Sequence, residues 1–154
     1  MTKPFRYFLR VRYQECDSQH IVFNARYGDY ADIAISEFFR ACRPDHDPFD
    51  GAFEMHVVRQ LTEWKSPARF NDVIEISVTV TRFGSTSFTV LMVMRNAATG
   101  ASIATCETVY VFVDGKTWVK RPITEAEKAD LQAGAKGKIV DHAGHYPLRL
   151  SEIV

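Results

Sequence analysis

The sequence predicts an α+β domain in which an antiparallel β-sheet wraps around one long central helix. Three observations carry that prediction. A first segment alternates with the two-residue period of a strand. A single helix-period segment follows, apolar around most of its circumference, and four or five strand-like segments then come in succession. A helix with only a narrow polar stripe has to be buried on most sides, which a curled sheet achieves. Strands do not alternate with helices, so a doubly wound α/β fold is excluded. The length of 154 residues suits one domain, 1–154, and no repeat, low-complexity tract or linker divides it.

The elements follow in order. Residues 5–13 put Phe5, Tyr7, Leu9, Val11 and Tyr13 on one side of a strand and Arg6, Phe8, Arg10 and Arg12 on the other. From Asn24 to about Arg43 the polar residues Arg26, Asp29, Asp32 or Ser36, and Arg40 recur every three to four positions among apolar ones. Asn24 is the expected N-cap and Pro44 ends the helix. A polar loop, 45–54, leads to strands at 56–65, 72–83, 87–96 and 102–114. Asp114-Gly115 signals a hairpin into a strand at 116–121. Thr124-Glu-Ala-Glu opens a short helix with a capping box, and the glycine-containing tail from Gly134 reads as loosely held loop. The core is therefore expected at about 5–123, with a C-terminal helix and tail at 124–154.

Lysine and arginine total 19 and aspartate and glutamate total 19, a formal net charge of zero, which argues against a nucleic-acid coat. The balance is uneven: Glu15 to Glu54 holds nine acidic residues against three basic ones, leaving ten against 16 elsewhere. Three widely spaced cysteines, Cys16, Cys42 and Cys106, suggest a reduced, cytoplasmic setting. The start reads as a strand rather than a secretory signal, and no apolar run suits a spanning helix. No membrane attachment is expected.

Chemistry points to the segment between the first strand and the helix. Asp17 lies just past the strand, seven residues before Asn24. A helix N-terminus offers unpaired N–H groups and the positive end of its dipole, which polarise a carbonyl oxygen. A carboxylate held nearby attacks an acyl carbon or deprotonates a water. On spacing alone, aspartate in such a loop is more often a turn or helix cap.

The residues at 11–27, Val-Arg-Tyr-Gln-Glu-Cys-Asp-Ser-Gln-His-Ile-Val-Phe-Asn-Ala-Arg-Tyr, followed by Tyr30 and Asp32, resemble the signature of the 4-hydroxybenzoyl-CoA thioesterase family. Lys65-Ser-Pro-Ala-Arg-Phe-Asn-Asp72 and Phe83-Gly-Ser-Thr-Ser87 extend the resemblance in the right order over about 5–123. It implies the hot-dog fold and hydrolysis of an acyl-CoA thioester without metal or organic cofactor, coenzyme A being part of the substrate. By the same resemblance Asp17 matches the catalytic carboxylate, as nucleophile or general base, and the Asn24 N–H matches the oxyanion donor. Asp32 matches an acidic helix position of open role, and Ile21, Val22, Phe23 and Tyr27 accompany the site. Coenzyme A would meet Arg82, Gly84, Ser85 and Thr86 at a strand turn, with Lys120 and Arg121 beyond. A homodimer or homotetramer is implied as well.

One departure stands out. His20 occupies a position where the family usually has glycine, which suggests a left-handed backbone that histidine tolerates better than most residues. Its imidazole either joins Asp17 or faces solvent. That substitution keeps open a second reading, a non-catalytic module that binds an acyl or aromatic ligand. A hot-dog dehydratase is disfavoured, because its differently spaced His with Asp or Glu is not found. Asp141-His142-x-x-His145 lacks a third ligand within reach, so no metal is expected.

Overall fold

The computed structural model describes residues 2–146. In chain order the elements are β1 (Phe5–Arg10), a 3-10 turn (Tyr13–Glu15), α1 (Arg26–Cys42), β2 (Met55–Trp64), β3 (Val73–Phe83), β4 (Ser87–Asn96), β5 (Ser102–Phe112), α2 (Glu125–Ala133) and β6 (Ile139–Asp141). The six strands form one sheet in the order β2-β5-β4-β3-β1-β6. All neighbours are antiparallel except β1 and β6.

Helix α1 buries Tyr27, Tyr30, Ala31, Ala34, Ile35, Phe38 and Phe39, the i, i+3, i+4 rows of one face. They pack on the alternating inward residues of the strands, among them Phe5, Tyr7, Ile74, Ile76, Val90 and Met92. Arg43 before Pro44 leaves the helical region at φ −131, ψ 65, which ends the helix. Phe38 has no exposed surface, so Phe38→Ala is expected to cost about 3–5 kcal/mol of stability.

The structure departs from the sequence expectation in four places. The first strand ends at Arg10 rather than Tyr13, which opens the 3-10 turn instead. Ala25, not Asn24, holds the cap position, without a side-chain cap bond. A turn closed by Arg26 N–H to the Phe23 carbonyl (2.9 Å) precedes the helix and takes over that task. The expected strand at 116–121 is reduced to one bridge, Val113 to Lys120. The Asp114 carboxylate caps the amides of Lys116 and Thr117 (both 2.9 Å), its carbonyl accepts from Trp118 (2.8 Å), and Pro122 offers no amide to continue a ladder. The tail is anchored as far as described: Gly134 ends α2 in the left-handed region, and β6 then pairs with β1. His145 stacks on the outward, fully buried Phe8 at 5.0 Å. The rest of the expected tail, 147–154, lies outside the described residues.

Candidate active site

Between β1 and α1 the chain makes a small hairpin. The Asp17 N–H donates to the Ile21 carbonyl (2.9 Å), Cys16 bridges Val22, and the Phe23 N–H donates to the Glu15 carbonyl (2.9 Å). At its tip the His20 N–H donates to the Asp17 carbonyl (2.9 Å) with His20 at φ 65. The left-handed backbone expected at this position is therefore present. One edge of the hairpin docks on the segment before β3, through Val22 N–H to the Ala68 carbonyl (2.9 Å) and a bridge from Ile21 to Arg69. The Pro-Ala-Arg stretch thus holds the catalytic candidate in place.

Asp17 is half-buried. Its Oδ1 accepts from the Gln19 N–H (2.8 Å), while Oδ2 has no hydrogen-bond partner among the described residues. The Asn24 N–H, just beyond the hairpin and before the first turn of α1, has no backbone partner among the described residues either. Asp17 and Asn24 line one pocket of about 450 Å³, walled by Ile21, Phe23, Tyr27 and Trp64. Tyr27 meets Trp64 edge to face at 6.3 Å. Val22 lies beneath, 4% exposed. A free carboxylate oxygen and a free amide at a helix start, on one apolar pocket, are the two parts that acyl transfer requires.

Other candidates fall elsewhere. The imidazole of His20 is exposed and forms no hydrogen bond to the Asp17 carboxylate among the described residues. It lines a second pocket, on the other flank of Asp17, with Tyr13, Cys16 and Phe70. Asp32 sits on the open face of α1 and lines neither pocket. Partial burial and the neighbouring Asp29 push its carboxyl up from the ordinary value.

The turn with Arg82, Gly84, Ser85 and Thr86 lies at the far end of the sheet. Trp64 pairs with Ala104 of β5 and Ser87 with Val111, a separation of seven residues or about 23 Å. A Cβ at Gly84 would stand 2.7 Å from the Ser87 hydroxyl, so a side chain there would make that hydroxyl turn aside. The Ser85 and Thr86 carbonyls accept from Ile123 and Phe112 (both 2.9 Å). Lys120 is exposed. The Arg121 guanidinium donates twice to Glu127 (2.9 and 2.7 Å), to the Ala52 carbonyl (3.0 Å) and to the Pro122 carbonyl (3.1 Å), so both of its terminal nitrogens are engaged within the chain. Asp141 and His142 are similarly engaged. Asp141 caps the amides of Ala143 and Tyr146, and the His142 ring meets the Tyr7 hydroxyl at 2.8 Å. Among the described residues no group of three or more His, Cys, Asp or Glu could hold a metal, and no helix is long and apolar enough to cross a membrane.

Two neighbours of the site had no place in the sequence reading of it. Trp64 ends β2 as an exposed aromatic, a signal visible once the strand is delimited. Glu15 is 5% exposed in a polar stretch where nothing local marks burial.

Comparison with known proteins gives the family and the fold. The acyl-CoA thioester hydrolase YbgC of Escherichia coli is 30% identical over 97 residues, 62% of this chain and 72% of that protein. A 1,4-dihydroxy-2-naphthoyl-CoA thioesterase from Synechocystis has the same fold at 14% identity, with a TM-score of 0.74 over 82% of this chain and 94% of that one. A gentisyl-coenzyme A thioesterase does so at 20% identity, with a TM-score of 0.69 over 82% and 98%. The fold is the hot-dog fold. Residues 11–135 match the sequence profile of the thioesterase-like superfamily, and the chain belongs to that superfamily.

Proposed function

We propose that the protein, a thioester hydrolase of this superfamily, converts a small, medium-chain or aromatic acyl-CoA to the free acid and CoA at Asp17. The observation that carries this reading is the pairing of the free Asp17 Oδ2 and the free Asn24 N–H on one pocket. The Asn24 N–H donates to the thioester carbonyl oxygen and stabilises the charge that develops there. Asp17 acts in one of two ways. As a nucleophile it attacks the carbonyl carbon, expels the CoA thiolate and leaves an anhydride that water hydrolyses. As a general base it takes a proton from water, whose oxygen attacks instead. Neither route needs a metal or an organic cofactor. The aromatic wall of Phe23, Tyr27 and Trp64 suits an aromatic acyl group, as in the two fold relatives named for aromatic acyl-CoA substrates.

A homodimer is part of the proposal. β2 is an edge strand with Val57, Val58, Leu61 and Trp64 exposed, an unprotected edge that a second copy covers by antiparallel pairing. Such pairing brings the Met55 end of one copy beside Trp64 of the other. Met55 pairs with Phe112, whose amide binds Thr86, so the Ser85–Thr86 turn and Lys120 approach the other copy's pocket. The coenzyme would then bind across the subunit boundary.

The test is an acyl-CoA panel with a thiol reagent, comparing wild type with Asp17→Asn. Loss of at least a hundredfold in kcat is expected, about 2.7 kcal/mol of barrier. Undiminished turnover in the variant overturns the role of Asp17, and tight binding without thiol release in the wild type favours the binding-module reading.

A further inference from the structure

Glu15 takes no part in the chemistry above and does not line the Asp17 pocket, yet its backbone joins the hairpin that carries Asp17. Its carboxylate accepts from the Arg12 N–H (2.7 Å), from Arg12 Nε and Nη2 (3.0 and 2.8 Å), and from the Tyr30 hydroxyl (2.9 Å). Burial raises its pKa, but the bonds from Arg12 and Tyr30 outweigh that and lower it overall, so the group is ionised. A buried carboxylate with this many donors is a fixed point. Three segments meet on it: the stretch after β1 through Arg12, the second turn of α1 through Tyr30, and the far arm of the hairpin through the Glu15 carbonyl and the Phe23 N–H. Asp17 lies two residues after it, and Asn24 follows Phe23.

We propose that Glu15 is a positioning residue, which sets the spacing between the Asp17 carboxylate and the Asn24 N–H by tying both arms of the hairpin to the helix. Tyr27, on the pocket wall, shares this frame, since it packs edge to face on Tyr30 at 5.8 Å. The consequence for rate rests on the thioesterase reading, whereas the tie itself does not.

The test compares Tyr30→Phe, Glu15→Gln and Glu15→Ala with wild type in acyl-CoA hydrolysis and in amide hydrogen exchange. Tyr30→Phe removes one hydrogen bond and keeps the packing, so it reports even if Glu15→Ala does not fold. A misplaced reacting group is expected to lower kcat about tenfold in Tyr30→Phe with KM within about twofold, and Glu15→Gln should retain more kcat than Glu15→Ala. Exchange should quicken at Phe23, whose N–H is bonded to the Glu15 carbonyl, while the amides of β3 to β5 keep wild-type protection. Unchanged kcat with unchanged exchange at Phe23 overturns the proposal. So does exchange that quickens evenly through the sheet, the mark of a merely structural role. If the wild type hydrolyses no acyl-CoA, the thioesterase reading fails, and the exchange pattern still decides whether Glu15 holds the hairpin.

Discussion

The two ends of the sheet each hold a buried glutamate bonded to an arginine, and the pairs serve different ends. Glu15 and Glu127 are both 5% exposed, and each also accepts from a backbone amide, Arg12 N–H at 2.7 Å and Thr124 N–H at 3.0 Å. The difference lies in what surrounds them. The Arg12 side chain is 63% exposed, and Glu15 spends its remaining capacity on Tyr30 of the central helix. The Arg121 side chain is 24% exposed, lies 4.6 Å over the Phe112 ring and gives its other donors to backbone carbonyls, filling its own space. One pair supports a site and leaves it free. The other closes the N-terminus of α2 against the sheet and leaves no vacancy for a ligand.

The largest effect should come from breaking the closed pair. Glu127→Ala strands a largely desolvated guanidinium and removes the capping box of α2, at a cost of about 2–4 kcal/mol. That corresponds to a melting temperature lower by about 5–15 °C in a domain of this size. The kcat of the folded fraction should stay at the wild-type value. A fall in kcat without a fall in melting temperature would show that this end, too, serves the chemistry.

Acid sharpens the comparison next. Burial raises the pKa of both glutamates, but the arginine bonds and cap bonds outweigh it, so both folded values lie below the ordinary 4.5. A lowered folded pKa gives stability that is complete above the unfolded value and is lost as pH falls through the folded one. Urea midpoints should therefore hold above about pH 5 and drop below about 4.5, where Glu15→Gln and Glu127→Gln should each flatten the slope. A slope left unchanged by both variants would mean that other carboxylates govern acid unfolding.

A smaller effect separates Lys120 from its neighbour. Lys120→Gln removes an exposed cation that the proposed dimer brings toward the coenzyme, and KM for acyl-CoA should rise about two- to fivefold with the melting temperature unchanged. Arg121→Gln should do the reverse, lowering stability and leaving KM alone. A KM effect confined to Arg121→Gln would return that residue to the coenzyme site.

What the chain shows before folding follows the range of the interactions. The helix and the four long strands are legible because their periods are local, whereas Asp17 and Asn24 stand out only through the family resemblance, since on spacing alone an aspartate in such a loop reads as a cap. β6 is not legible: three residues pair in parallel with β1 across more than 130 positions, and only the tertiary fold supplies the partner. The bonding of Glu15 and Arg121 is hidden in the sequence for a related reason. Each is a charge whose meaning depends on what it is bonded to, and neither Tyr30 nor Glu127 declares itself as a partner in the sequence. Trp64 needs both the limits of β2 and its approach to Tyr27.

The smallest effect tests the tip of the hairpin. His20 holds φ 65, where a side chain costs about 1–2 kcal/mol relative to glycine. His20→Gly removes that strain and adds the greater conformational entropy of glycine in the unfolded chain, about 0.5–1 kcal/mol. The two nearly cancel, so the melting temperature should move by no more than about 3 °C. His20→Ala keeps the strain and loses the tolerance of histidine for this region, so it should be the less stable of the two variants. The imidazole makes no hydrogen bond to the Asp17 carboxylate among the described residues, so kcat in His20→Gly should stay within about twofold of wild type. A tenfold fall in kcat at an unchanged melting temperature would instead give the imidazole a part in the reaction, and the left-handed turn would then be the means of presenting it to the pocket that Tyr13 and Phe70 line.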